Sequence, residues 1–231
     1  MGPSARDKLR FLKWKVFKQG YLIGIDTPVE VARKPVEKIL DSVGCKGFIT
    51  GHVGYTGDIL DSVFSKGFKP IVMVRDPRAV LCSFVNYVVS SDRHHLHRYF
   101  VSLGVEDQYR VALNGADIGN GIYLQPLKVR CMALYPWIEN KHVECFQFED
   151  LVGEKGGGTA SNQMASLKRI QALLEIQDVN ALDVSHNLFG PGRSTFRKGQ
   201  VGTWREEIPY NIRSEINEDM NTILNTWGYE I

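Results

Sequence analysis

The segment Ile71-Val72-Met73-Val74-Arg75-Asp76-Pro77-Arg78 decides the fold class of this chain. Its first four residues are apolar and mostly β-branched, which predicts a buried strand. Asp76 is a good helix N-cap, and Pro77 suits the first helical position. Apolar residues then recur with a helical period at Val80, Leu81, Phe84, Val85, Val88 and Val89. A strand that runs directly into a helix indicates an α/β fold.

The same alternation continues along the chain and predicts a mainly parallel sheet covered by helices. We expect strands at 47–50, 70–74 and 143–148, and helices at 35–43, 55–66, 77–90, 125–139, 162–175 and 210–227. The last helix has an apolar stripe and is expected to cover the sheet. A length of 231 residues suits one domain, so residues 1–231 are predicted to form a single domain.

Composition excludes several classes of protein. The chain is 43% hydrophobic and 23% charged, as soluble globular proteins are, and its net charge of +2 is too small to indicate a nucleic-acid partner. No apolar run approaches the roughly 20 residues that cross a bilayer, and the first residues do not resemble a signal peptide. The four cysteines are scattered, so we expect reduced thiols, no metal site and a cytoplasmic location.

The N-terminal segment carries basic residues at Arg6, Lys8, Arg10, Lys13, Lys15 and Lys18, with apolar residues between them. Two interpretations stay open. A basic amphipathic helix would contact lipid or an acidic ligand. A solvated helix with its apolar edge on the domain is favoured, because one such stripe is ordinary for a surface helix.

Two segments contain residues that suit an anion. Arg75 ends an apolar strand, where ligands of open α/β sheets collect, and Ser83 lies about two turns into the following helix. A guanidinium matches phosphate well, although an arginine at a strand end is more commonly a structural ion pair. The second segment is Phe196-Arg197-Lys198-Gly199-Gln200-Val201-Gly202-Thr203-Trp204-Arg205. Its adjacent cations and glycine form a compact anion cradle, or else a solvated basic loop anchored by Trp204.

These motifs together resemble those of PAPS-dependent sulfotransferases. Arg75-Asp76-Pro77-Arg78 with Ser83, then Phe148-Glu149-Asp150-Leu151, then Arg197-Lys198-Gly199-x-x-Gly202-x-Trp204 occur in the family's order. The closing Trp227-Gly228-Tyr229 is also similar, and the resemblance covers roughly residues 48–231. It implies a P-loop-NTPase-like three-layer α/β fold that moves a sulfuryl group from PAPS (3'-phosphoadenosine 5'-phosphosulfate) to a hydroxyl or amine, leaving PAP.

The resemblance also implies roles for individual residues. Arg75, Ser83, Arg197, Lys198 and Gly199 match the positions that hold the 3'-phosphate. Phe148 stands where many members carry a tyrosine that faces the adenine. His52 follows the predicted strand at 47–50 and matches the family's general base, although a histidine there can also be purely structural. The acceptor is expected to be a small molecule or a carbohydrate. His94, His95 and His97 are interpreted as a solvated surface beside the acceptor cleft.

One part of the family pattern is missing. Members carry a Gly/Ser/Thr-rich loop with a lysine after the first strand, which contacts the 5'-phosphosulfate. The segment Phe17-Lys18-Gln19-Gly20-Tyr21 is no such cradle, and the glycine-rich stretch at 153–158 has no GKS or GKT, so it is interpreted as a surface loop. Residues 1–46 are therefore expected to be a divergent or truncated N-terminal segment, and transfer by this chain is expected to be weak or absent.

Two other functions stay open at this point. A non-catalytic relative would bind PAP or PAPS, or a partner, as a scaffold. A P-loop kinase is a second alternative, but the sequence has no GxxxxGK[ST] motif and no evident pair of Mg²⁺ ligands. The oligomeric state and the identity of the acceptor are not encoded in any motif.

Overall fold

The computed structural model describes residues 20–190 and 197–231. The chain divides into two compact units, Met1–Phe68 with Val111–Trp137, and Lys69–Arg110 with Ile138–Ile231. The predicted basic helix of the N-terminal segment lies outside the described residues, and so does Phe196. The prediction of a single domain stays a prediction.

The first unit contains two antiparallel strand pairs. Strand β1 (Gly20–Ile23) pairs with β2 (Val29–Ala32), and β4 (Ala116–Gly119) pairs with β5 (Ile122–Leu124). Its helices are α1 (Arg33–Ser42), α2 (Gly57–Ser65) and α6 (Leu127–Met132). Tyr21 is buried on β1, and the indole N–H of Trp137 donates to the Val53 carbonyl at 3.0 Å. These contacts close a small core around the first hairpin.

The second unit is built around a parallel strand pair. Strand β3 (Ile71–Val74) lies beside β6 (Glu144–Gln147), with Val74 opposite Gln147. Its helices are α3 (Pro77–Ser90), α4 (His97–Val101), α8 (Phe148–Leu151), α9 (Ala160–Leu174), α10 (Ala181–Leu188), α11 (Trp204–Glu207) and α12 (Tyr210–Thr226). Helices α5 (Val105–Asn114) and α7 (Tyr135–Ile138) span the points at which the chain passes between the units.

Most of the predicted elements are confirmed within one to three residues. The α/β class and the parallel pair β3–β6 are confirmed, and α3 begins and ends at the predicted residues. Asp76 caps that helix by accepting the Arg78 backbone N–H at 2.9 Å. The larger three-layer arrangement with a mainly parallel sheet stays a prediction, because the described residues form three two-stranded sheets, of which one is parallel.

Two predicted elements are wrong. Residues 47–50 form no strand, and the side chain of Phe48 is 86% exposed, so this apolar run is not part of a buried sheet. The bridge to β1 is made instead by Val53, which pairs with Ile23. The predicted helix at 125–139 is two helices, α6 and α7. Pro136 lies within the predicted range, and because it has no backbone N–H it cannot continue a single ladder of helical hydrogen bonds.

A buried arginine joins the helices of the second unit. Arg78 is 2% exposed, and its guanidinium contacts both carboxylate oxygens of Asp76 at 2.9–3.2 Å. The same guanidinium lies 4.1 Å above the ring of Trp204 and donates to Asn217 on α12 at 3.2 Å. A buried cation is tolerated only when its charge and donors are satisfied, and these three partners satisfy Arg78.

Removing the Trp204 ring is expected to destabilise the protein strongly. The ring is 5% exposed, and its loss leaves a cavity beside a buried cation, so Trp204→Ala should cost about 3 to 5 kcal/mol of unfolding free energy. The measurement is urea unfolding followed by circular dichroism. Tyr210→Ala is the control, because its ring is 77% exposed and its loss should cost less than about 1 kcal/mol. Equal costs for the two variants would contradict the anchoring role of Trp204.

Candidate functional site

The carboxyl ends of β3 and β6 bring Arg75 against Phe148. The two strands are parallel, and Val74 lies opposite Gln147, so the residues that follow them leave the sheet side by side. The guanidinium carbon of Arg75 lies 4.3 Å from the centroid of the Phe148 ring. This is a cation–π arrangement, which orients the guanidinium over one face of the ring.

The guanidinium of Arg75 is incompletely satisfied. Its Nε atom is buried and has no hydrogen-bond partner among the residues that the structure describes. Burial lowers the pKa of Arg75, while the negative charge of Glu149 acts in the opposite direction. A buried donor without an acceptor is costly, and an anion at this strand end would supply one.

Glu149 ties the strand ends to the C-terminal residues. One carboxylate oxygen accepts the Asp76 backbone N–H at 3.0 Å, and the other accepts the Tyr229 hydroxyl at 2.8 Å. Burial and the nearby Glu149 raise the pKa of Tyr229, so its hydroxyl stays a donor. The Gln147 side chain also donates to the Trp227 carbonyl at 2.7 Å. The motifs around Phe148 and Trp227 are therefore in direct contact.

The cations of the second motif converge on one carboxylate. Arg197 forms a forked ion pair with Glu207, with both N–O distances at 2.9 Å, and the Lys198 ammonium lies 2.7 Å from the same carboxylate. The side chains of Arg197 and Lys198 are 41% and 52% exposed, whereas that of Glu207 is 17% exposed. Two partly exposed cations thus share one mostly buried anion.

Helix α3 also donates hydrogen bonds to Glu207. The Cys82 thiol donates to Oε2 at 3.2 Å, and the Asn86 side-chain amide donates to the same oxygen at 2.9 Å. Burial alone would raise the pKa of Glu207, but hydrogen bonds from Arg197, Lys198 and Cys82 outweigh it and hold the pKa at about 2. Burial, together with Glu207, raises the pKa of Cys82 to about 11. Glu207 is therefore charged and Cys82 is a neutral thiol at neutral pH.

Glycines shape and support the loop that carries these cations. Gly199 and Gly202 have φ angles of 64° and 80°, in the left-handed region that favours glycine. The Val201 backbone N–H donates to the Gly156 carbonyl at 2.7 Å, and the Gln200 side chain donates to the Lys155 carbonyl at 2.7 Å. The glycine-rich stretch interpreted as a surface loop thus contacts this loop and fixes its position.

The two cationic segments approach each other around α3. The Cys82 thiol on this helix contacts Glu207, which is the partner of Arg197, and Arg75 lies two residues before the start of the same helix. Ser83, the next residue, is exposed on this helix. Arg78 and Trp204 add a direct stacking contact between the segments. The structure therefore brings the predicted phosphate ligands to one region, while their binding role stays a prediction.

The predicted general base, His52, belongs to the first unit, whereas the residues described above belong to the second. His52 is exposed, and its carbonyl oxygen accepts the Gly24 backbone N–H at 2.6 Å. This bond fixes the backbone of His52, whose catalytic role stays a prediction. In the second unit, the rings of His94 and His95 stack at 4.6 Å, and His94 meets Tyr87 edge to face at 5.4 Å.

Sequence reasoning did not identify Glu207 or Cys82 as part of this region, and it gave Tyr229 no role beyond the closing motif. Cys82 lies inside an apolar stripe, where a thiol is ordinary, and Glu207 lies in a short acidic run beyond the recognised motif. Their contact joins residues 125 positions apart in the chain. The one sequence signal that could have indicated Glu207 was the positive charge of the loop. Two adjacent cations near a buried helix favour a neighbouring carboxylate.

Residues 20–190 and 197–231 contain no group of three His, Cys, Asp or Glu residues that could hold a metal ion. They also contain no helix that is both long enough and apolar enough to span a bilayer. All four cysteines are free thiols, of which Cys82 and Cys131 are buried.

Comparison with solved structures found backbones similar to that of this chain, whereas comparisons of sequence found none. No family model matches this chain, and no curated protein matches it. The crystal structure of mouse sulfotransferase SULT7A1 complexed with PAP is similar, with a TM-score of 0.49 and 16% sequence identity. The match covers 71% of this chain and 61% of that chain, so it spans less than two thirds of the mouse protein. The residues of the site are assigned from their own contacts.

The Glu207 carboxylate is expected to make stability depend on acid pH. A pKa lowered from 4.5 to about 2 corresponds to roughly 3 kcal/mol of unfolding free energy, which is present above about pH 5 and is lost as the pH falls towards 2. Glu207→Gln should therefore lower the unfolding free energy at pH 7, and its deficit relative to wild type should shrink from pH 5 to pH 2.5. Urea unfolding at each pH measures this.

Glu206→Gln is the matched control for that experiment. Glu206 is the neighbouring residue and is exposed, so the same change of charge there should alter stability by less than about 0.5 kcal/mol at every pH. A pH-independent deficit for Glu207→Gln would show that its ion pairs do not hold the pKa low.

Proposed function

We propose that this chain is a PAPS-dependent sulfotransferase domain whose 3'-phosphate site is formed by Arg75, Ser83, Arg197, Lys198 and Gly199. The observation that carries the proposal is the Arg75 guanidinium, which sits at a strand end with a buried Nε that lacks an acceptor. Open α/β sheets bind ligands at this edge, and a phosphate oxygen is a suitable partner for a guanidinium.

The second motif supplies the remaining donors. A phosphate dianion needs several converging donors, and Arg197 and Lys198 carry two positive charges against the single carboxylate of Glu207. Their side chains are partly exposed, and the left-handed Gly199 lets its backbone approach a ligand closely. The net positive charge of this loop therefore supports binding of a terminal phosphate.

The Phe148 ring supports an adenine-binding role. Arg75 covers one of its faces at 4.3 Å, so an adenine would contact the opposite face or the edge of the ring. Base–aromatic stacking contributes roughly 1 to 3 kcal/mol per base and does not require the hydroxyl of a tyrosine. The contact between Arg75 and Phe148 therefore supports a base site next to the proposed phosphate ligand.

The proposed reaction moves a sulfuryl group in line from PAPS to an acceptor. The bond between sulfur and the bridging phosphate oxygen breaks, a bond between sulfur and the acceptor oxygen or nitrogen forms, and PAP leaves. His52 is proposed to take the proton of the acceptor, which is a small molecule or a carbohydrate. The sequence contains no Gly/Ser/Thr-rich loop with a lysine that would hold the 5'-phosphosulfate, so we expect weak stabilisation of the leaving oxygen.

Removal of the Arg75 guanidinium is expected to weaken binding of PAP specifically. Arg75→Ala should lower the affinity for PAP at least tenfold, because each hydrogen bond to a charged group contributes about 1.5 to 3 kcal/mol. Binding of 5'-AMP, which has no 3'-phosphate, should change less than threefold. Isothermal titration calorimetry measures both. Lys168→Ala is the control, because Lys168 is exposed on α9 outside the site. PAP affinity unchanged by Arg75→Ala would refute the assignment.

Sulfuryl transfer by this chain is expected to be weak or absent. Loss of one transition-state donor costs about a hundred- to a thousand-fold, and a whole loop should cost more. Transfer of radiolabelled sulfuryl from PAPS to a panel of alcohols and sugars measures the rate. Any residual rate should fall about a hundredfold in His52→Gln and stay unchanged in His142→Gln. Turnover typical of sulfotransferases would refute the weak-transfer prediction, and PAP binding without turnover would favour the scaffold alternative.

A further inference from the structure

The ion pair between Glu207 and the two cations of the second motif has a consequence for ligand choice. Arg197 presents both terminal nitrogens to the two carboxylate oxygens, at 2.9 Å each. This fork is the geometry with which arginine also binds phosphate. Lys198 directs its ammonium to the same carboxylate at 2.7 Å. The donors that would hold a phosphate are therefore occupied by a side chain of the protein.

We propose that Glu207 is an internal competitor of the 3'-phosphate, whose carboxylate occupies Arg197 and Lys198 until a dianionic phosphate displaces it. This inference rests on the proposed function, since it assigns the phosphate to the same two cations. It makes Glu207 a residue that determines specificity, although it lies just beyond the quoted motif, which ends at Arg205.

Helix α3 provides a place for the displaced carboxylate. The Cys82 thiol and the Asn86 amide both donate to Oε2 of Glu207. When the cations turn to a phosphate, these two donors still satisfy one oxygen of the carboxylate. Glu207 can therefore release Arg197 and Lys198 without becoming a buried charge that lacks every partner.

Charge explains why the exchange selects dianions. Glu207 offers one negative charge to two cations, and a terminal phosphate offers nearly two. A singly charged anion gains no more from Arg197 and Lys198 than the resident carboxylate does. Only a ligand of higher charge compensates for the loss of the ion pairs that Glu207 forms with Arg197 and Lys198. A nucleotide whose only phosphate is on the 5' carbon brings no dianion to these two cations, so it leaves the Glu207 contacts intact.

The competing explanation is that Glu207 remains in place and organises the cations for the ligand. Lys198 keeps two further N–H donors, and Gly199 keeps its backbone N–H. A phosphate would then bind on the outer side of the ion pair, and removal of Glu207 would disorder the cations. The two explanations predict opposite changes in affinity when the carboxylate is removed.

The test measures the affinity of the full chain for PAP, for 5'-AMP and for inorganic sulfate, by calorimetry for the nucleotides and by equilibrium dialysis for sulfate. Glu207→Gln is expected to bind PAP and sulfate about tenfold more tightly than wild type, with 5'-AMP affinity changed less than twofold. Glu206→Gln removes the same charge from an exposed neighbour and should change none of the three affinities more than twofold.

Glu207→Asp is a second variant, which still tests the proposal if Glu207→Gln fails to fold. It keeps the charge but withdraws the carboxylate by one methylene, so it should raise the affinity for PAP and sulfate by a smaller factor. Equal or weaker binding of sulfate by both Glu207 variants would overturn the proposal. Failure of Arg75→Ala to weaken PAP binding would instead overturn the proposed function, and the sulfate arm would still decide the role of Glu207.

Discussion

The buried guanidinium of Arg78 is the contact on which the second unit depends. It needs a carboxylate, and Asp76 provides one two residues away while also capping α3. It also needs a covering surface, which the Trp204 ring provides at 4.1 Å. Because this cation has little access to water, loss of either partner would strongly lower the unfolding free energy. The position of the loop that ends in Trp204 is thus set by α3.

The register of the parallel pair sets the rest of the site. Strands that run in the same direction end at the same edge of a sheet, so Arg75 and Phe148, which follow the two strands, contact each other. Glu149 then binds the Asp76 backbone and the Tyr229 hydroxyl, which fastens the end of the chain to this edge. Three separate motifs become one cluster because each is adjacent to a strand or helix terminus.

Electrostatic balance within this cluster is uneven. Asp76, Asn217 and the Trp204 ring together satisfy Arg78, whereas Arg75 keeps a buried donor without an acceptor, and Arg197 and Lys198 share a single carboxylate. A protein that needed only stability would gain little from unmatched cations near a helix. The excess of positive charge and of donors is the observation that supports the proposed anionic ligand.

Local sequence determined the elements whose signals lie within a few residues. The strand 71–74, the cap at Asp76, Pro77 and the helical stripe predicted β3 and α3 correctly, because propensity and capping act between near neighbours. The apolar run at 47–50 was misread, since nothing local reveals that Phe48 is exposed. Only the tertiary structure decided which arginine is structural and that Glu207 binds Cys82, because burial and pairing across 125 residues depend on the whole fold.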